Sequence, residues 1–201
     1  MAGIIEVKDQ GKLRIYDADN SHYTDIVVPS SVTANRTITL PDASFTVPNI
    51  SGITEADQFR LTADKSGSSD VTANLERVDD ASFAKIGTGM SESSGIFSFA
   101  STGLYQVTTF ASFTSDGGGD NCKMKIKVTT NNSSYDEVAV AVAGSSGQEN
   151  TGSATAFVNV TNVSNVKVKF SLDSMSGSSI CVGNTDSSTT SFQFIRLGDS
   201  Q

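Results

Sequence analysis

Cys122-Lys123-Met124-Lys125-Ile126-Lys127-Val128 alternates without a break: Cys122, Met124, Ile126 and Val128 share one parity, and three lysines hold the other. Successive side chains of an extended chain point to opposite faces, so this stretch predicts a strand with one buried and one wet face. Val166-Lys167-Val168-Lys169-Phe170 repeats the pattern. Farther out, Val138, Val140 and Val142 interleave with Ala139 and Ala141, and Ala154 to Val160 is similar; both predict strands covered on two sides. Leu104 to Phe113 predicts a longer strand with apolar residues on both faces, and Ser179 to Val182 and Ser191 to Leu197 complete the set. Clusters rich in Ser, Gly, Asn and Asp at 115–121, 131–134, 144–147 and 174–178 supply turn chemistry between them. Short strands punctuated in this way, about 8–15 residues apart, indicate an antiparallel sandwich or barrel. The single expected helix is Thr54 to Phe59, one or two turns long.

The composition narrows the function. Ser and Thr fill 52 of 201 positions, charged residues make up 18%, and acids outnumber bases 22 to 14 for a net charge of −8. Phosphate binding rests on Lys and Arg, so this balance argues against a nucleic-acid partner, and equally against a polybasic membrane patch. The longest apolar run, around Val138 to Ala143, is far below the roughly 20 residues that span a bilayer. The start, Met1 to Gln10, places Glu6 where a signal peptide would need an apolar core.

With one histidine, two cysteines and no tryptophan, the usual catalytic inventory is nearly empty. No catalytic residue, cofactor or resident metal is expected. His22 has no second ligand or nucleophile nearby in sequence and reads as a surface residue. Cys122 lies on the apolar parity of its strand, as a small buried side chain. Cys181 alternates against Ile180 and Val182, which disfavours a Cys122–Cys181 bridge. Asp116 to Asn121 offers oxygen donors suited to calcium, but its spacing matches no EF-hand and it reads as a solvated turn. Asp79 and Asp80 are adjacent; on a strand they would point to opposite faces, a poor geometry for acid–base work.

The composition shifts near residue 50. All three prolines (Pro29, Pro41 and Pro48) lie before it, among short strand candidates at Gly3–Val7, Lys12–Asp17, Tyr23–Val28 and Arg36–Leu40. The chain thus reads as a small β-rich arm, 1–50, followed by a larger β domain, 51–201. An arm of this size with few large apolar side chains makes a poor core alone, so its stability is expected to come from other chains.

Phe97-Ser98-Phe99-Ala100-Ser101-Thr102-Gly103-Leu104-Tyr105-Gln106-Val107 resembles the segment that leads into a central strand of the C1q/TNF-like jelly roll. Ser191-Phe192-Gln193-Phe194-Ile195-Arg196-Leu197-Gly198 resembles that family's last strand. In the arm, Leu13 to Tyr23 and Val32 to Pro41 resemble an N-terminal module of tailed-phage virion proteins. The stretches Ala56–Thr62, Leu75–Asp79 and Ile86–Met90 are similar to the opening of C1q-like knobs in such proteins. No collagen-like stalk precedes the knob.

The resemblance implies an all-β chain: an antiparallel jelly-roll sandwich behind a small β-rich arm, assembled as a homotrimer. Phe99, Tyr105, Phe192 and Phe194 are then candidates for either the trimer interface or the inter-sheet core. Ile15, Tyr16, Tyr23, Leu40 and Pro41 are candidates for anchoring the arm. The implied role is non-enzymatic: a structural protein assembled in the bacterial cytoplasm and carried on the virion surface. The lack of a long shaft favours a head decoration, or cement, protein bound to the major capsid protein at threefold positions. The alternative is a short tail fibre or receptor-binding knob, with tail proteins and a host surface glycan or protein as partners.

Overall fold

The computed structural model describes residues 12–27, 33–34, 37, 52–114, 121–144, 147–176 and 178–201. The chain divides into two compact units, Met1–Asn49 and Ile50–Gln201. In the first, β1 (Leu13–Tyr16) pairs antiparallel with β2 (Tyr23–Ile26), with Leu13 opposite Ile26 and Tyr16 opposite Tyr23. Arg14 forks onto Asp25 at 2.7 and 3.0 Å and lies 3.6 Å from the centre of the Tyr23 ring. The strand candidate Gly3–Val7, all of 36–40 except Thr37, and the three prolines fall outside the described residues.

The second unit runs β3 (Ala56–Leu61), β4 (Lys65–Ser66), β5 (Leu75–Arg77), β6 (Ser91–Ser93), β7 (Ile96–Ser98), β8 (Gly103–Thr114), β9 (Cys122–Thr129), β10 (Asp136–Ala143), β11 (Glu149–Val160), β12 (Lys167–Asp173), β13 (Ile180–Cys181) and β14 (Ser191–Gly198). One sheet has the order β10-β9-β12-β7-β6. The other is built around β8: β11 pairs along its whole length from Gly103 to Thr114, β14 pairs with Leu104 to Phe110, and β13 pairs with its end. Beyond β14 come β3 and β5. All pairings are antiparallel, and the chain crosses repeatedly between the sheets, as a jelly roll does.

The alternation in 122–128 survives intact: Cys122, Met124, Ile126 and Val128 are buried against the opposite sheet. Two other strands differ from expectation. In β10 the alanines Ala141 and Ala143 are buried while Val138 and Val142 are half exposed. In β11 Ala156, Val158 and Val160 are buried while Phe157 is exposed. Each has one open face rather than two covered ones. The reason is local crowding: β10 closes the side of the sandwich against β11, where only small residues fit. A Cβ on Gly152 would lie 2.9 Å from the Val142 carbonyl oxygen.

The expected helix at Thr54–Phe59 does not form: Thr54 and Glu55 are irregular backbone, and Ala56 to Phe59 begin β3. Its buried Asp57 receives Arg77 through both carboxylate oxygens and the Met90 N–H at 2.8 Å. Arg60, also buried, donates to Glu76, Asp79 and Asp80. Asp79 and Asp80 therefore do not sit on opposite faces of a strand. They follow β5 in irregular backbone and converge on one guanidinium. Both buried charges are paired, which is the condition for holding them out of water. The β6–β7 hairpin turns on Ser94 and Gly95, both at positive φ (50° and 83°), which is the two-residue primed turn that matches strand twist.

Between the sheets Phe97 is the hub. Its ring centre lies 5.1 Å from Phe59, 5.6 Å from Phe170 and 5.1 Å from Phe194, and Phe170 stacks on Phe192 at 4.2 Å. All five rings are buried. Phe97→Ala removes the contact common to both sheets, and is expected to cost about 3–5 kcal/mol in urea unfolding of the full chain.

Candidate functional site

The outer face of the larger sheet follows from parity. Tyr105, Val107, Ala111 and Phe113 of β8 point into the core, so Leu104, Gln106, Thr108, Phe110 and Ser112 point out. Register extends this face sideways, with Phe157 of β11 and Ile195 of β14 opposite Gln106, and Thr155 and Gln193 opposite Thr108. None of these positions carries a charge. The polar groups pair with each other: Thr108 Oγ1 and Thr155 Oγ1 at 2.9 Å, Ser112 Oγ and Thr151 Oγ1 at 3.0 Å, and Gln193 donating to Gln58 at 3.2 Å. A face whose hydroxyls and amides are already satisfied loses little when water leaves. Two aromatic rings stand in it, Phe110 at 41% exposure and Phe157 at 67%, with Leu197 at 51% at its margin.

The outer face of the other sheet has the opposite chemistry. Lys123, Lys125 and Lys127 of β9 and Lys167 and Lys169 of β12 all point outward. Lys125 bridges Glu137 at 2.8 Å and Asp173 at 2.6 Å, and Asp70 receives Lys169 at 2.7 Å and Lys127 at 3.7 Å. Lys169 also lies 4.4 Å from the centre of the Tyr135 ring. This lattice pairs its charges with one another, whereas the β8 face presents apolar and internally satisfied groups. The β8 face is the surface suited to burial against another protein.

The residues singled out in the sequence are distributed as follows. Phe99, Tyr105, Phe192 and Phe194 are all buried between the sheets of a single chain, with the Tyr105 hydroxyl meeting Ser101 Oγ at 2.9 Å. Phe110 and Phe157, on the open face, were not among them. Alternation alone contained the signal, because Phe110 has the parity opposite to Tyr105 and Phe157 the parity opposite to Val158. In the arm, Ile15, Tyr16 and Tyr23 are about half exposed, and Leu40 and Pro41 lie outside the described residues. Residues 116–120 of the turn considered for calcium are also outside them.

Among the described residues, no cluster of three or more His, Cys, Asp or Glu side chains is placed to hold a metal ion. His22 is exposed at the β1–β2 turn. Ser21 Oγ at 2.7 Å and Asp17 Oδ2 at 3.4 Å both approach its Nδ1, so the three do not form a relay through opposite ring nitrogens. Cys122 and Cys181 are buried as thiols, and burial pushes the Cys181 thiol up to about 12.

No family model matches the chain, and no curated protein sequence matches it. Solved structures do. Murine APRIL at pH 5.0 superposes with a TM-score of 0.55 at 10% identity, over 71% of this chain and 98% of that one. Eiger TNF from S. frugiperda gives 0.56 at 12% identity, over 73% and 94%. PRD1 vertex protein P5 covers 73% of this chain and 99% of its own at 20% identity, but its TM-score of 0.46 is too low to argue from. At these identities the likeness concerns the fold. The chain carries a TNF-like jelly roll.

The lysine lattice has a pH signature. Burial favours the neutral form of Asp70, but the hydrogen bond from Lys169 and the nearby lysine charges outweigh it and hold the carboxyl below its ordinary value. Asp173 is held down chiefly by the hydrogen bond from Lys125. A depressed carboxyl stabilises the fold above its unfolded pKa, and that contribution is lost as pH falls through the folded one. Stability should therefore be level down to the ordinary value of 3.8 and drop below it. In denaturant titrations at stepped pH, Asp70→Asn should be the less stable at neutral pH, and the difference should vanish in acid.

Proposed function

We propose that the protein is a non-enzymatic, homotrimeric structural subunit on the outside of a tailed-phage particle. In this reading it is a head decoration protein that reinforces the major capsid protein at threefold positions. The observation that carries the assembly is the uncharged β8 face with Phe110 and Phe157. A monomer rarely leaves such a patch in water, and a heterologous contact that closes after three copies buries it completely. The virion assignment is supported by the resemblance of 13–23 and 32–41 to the arm of phage virion proteins. The arm's exposed hairpin fits an anchoring role. Leu13, Ile15, Tyr16, Tyr23, Ile26 and Val27 are each at least half exposed, and a two-stranded ribbon is marginal by itself, so docking on another chain would complete its core.

A receptor-binding knob on a short tail fibre is the second reading, favoured by an open polar groove at one end of the sandwich. Copy number separates the two. Quantitative mass spectrometry of purified particles should find a number comparable to that of the major capsid subunits. Far fewer copies would move the trimer to the tail. Removing residues 1–48 should leave a folded trimer that no longer binds particles; undiminished occupancy would assign attachment to the jelly roll.

A further inference from the structure

Where β9 begins and β12 ends, a groove of about 510 Å³ opens between Asn121 and Lys123 on one side and Asp173 to Ser176 with Ser68 on the other. We propose that this groove binds a neutral sugar ring, a hexopyranose that presents vicinal hydroxyls. The proposal does not depend on where the protein resides.

Lys123 and Asp173 face each other in register across β9 and β12, on the same outward side. They form no direct ion pair with each other, although the Lys123 charge reaches Asp173. Asp173 Oδ2 accepts Lys125 at 2.6 Å and its Oδ1 accepts the Ser174 N–H at 2.6 Å, and Lys123 makes no ion pair among the described residues. Each carboxylate oxygen accepts more than one hydrogen bond, so Asp173 is fixed in place with acceptor capacity left, beside an ammonium with three donors. A carboxylate and an ammonium side by side match a vicinal diol, in which each hydroxyl both donates and accepts. One charge of each sign disfavours a simple anion or cation in the same place.

The far wall is held ahead of binding. Ser174 sits at φ 55°, a conformation most side chains avoid, and the Met175 N–H donates to Ser68 Oγ at 3.0 Å. Such local strain is retained where the surroundings over-determine it. The half-buried Met175 adds an apolar patch for the C–H face of a ring, and Asn121 adds an amide that donates and accepts. The volume lies within the range of small-molecule sites, and an ordered wall lowers the entropy lost on binding.

The test is saturation-transfer NMR on the full chain, with the methyl α-pyranosides of glucose, galactose and mannose as separate probes. At least one should show transfer, with a dissociation constant on the order of 1 mM. Lys123→Ala and Asp173→Asn should each weaken it about tenfold, as expected for the loss of one charge-assisted hydrogen bond. Lys167→Ala, on the same sheet outside the groove, should leave it unchanged. No transfer from any of the three probes would overturn the proposal, and so would transfer that persists undiminished in both groove variants. Circular dichroism confirms that each variant is folded, and Lys123→Ala, which breaks no ion pair among the described residues, serves if Asp173→Asn is not.

Discussion

Everything in the jelly roll depends on the packing of Phe97 against rings from the facing sheet. Phe97 belongs to the β10-β9-β12-β7-β6 sheet, and Phe59, Phe192 and Phe194 belong to the other. Offset and edge-to-face rings add to area burial and help fix the spacing of the two layers. Phe99, Tyr105, Phe113, Leu61, Met124, Ile126 and Leu172 fill the rest of the core around these rings. The alanines of β10 and β11 and the approach at Gly152 then close the side of the sandwich with little volume.

That allocation determines what is left for the surface. A chain with 18% charged residues cannot cover both sheets with ions. The lysines concentrate on β9 and β12, and the face of β8, β11 and β14 is left mostly to Thr, Ser, Gln and a few apolar groups, with Glu149 at one end. Lys125, Lys127 and Lys169 find carboxylates on neighbouring segments, so the charged face is stable in water without help. The uncharged face has satisfied its polar groups internally and keeps Phe110 and Phe157 in contact with solvent. One sheet is suited to water and the other to contact with protein, and this contrast is the physical basis for the proposed assembly.

Much of the fold was legible in the sequence because strands with one wet face write their geometry as alternation, and Cys122 to Val128 does so without exception. The failures have specific causes. Ala56 to Leu61 carries Asp57 and Arg60, whose burial is made possible by Arg77, Asp79 and Asp80, partners some 20 residues away that no local pattern reveals. Where both parities are apolar, as in Val138 to Ala143, alternation cannot say which side is inward; the narrow edge of the sandwich decides for alanine. The same ambiguity left Phe99, Tyr105, Phe192 and Phe194 open to either the trimer interface or the inter-sheet core; the core of a single chain holds all four, and the rings that reach the surface, Phe110 and Phe157, have the opposite parity.

The most direct test of this account is sedimentation equilibrium of the full chain beside Phe157→Asp, which places a charge on the uncharged face without touching the core. The account predicts a mass three times 21.0 kDa for the parent and a single-chain mass for the variant. A parent that sediments as one chain at micromolar concentration, or a variant that remains trimeric, would contradict it.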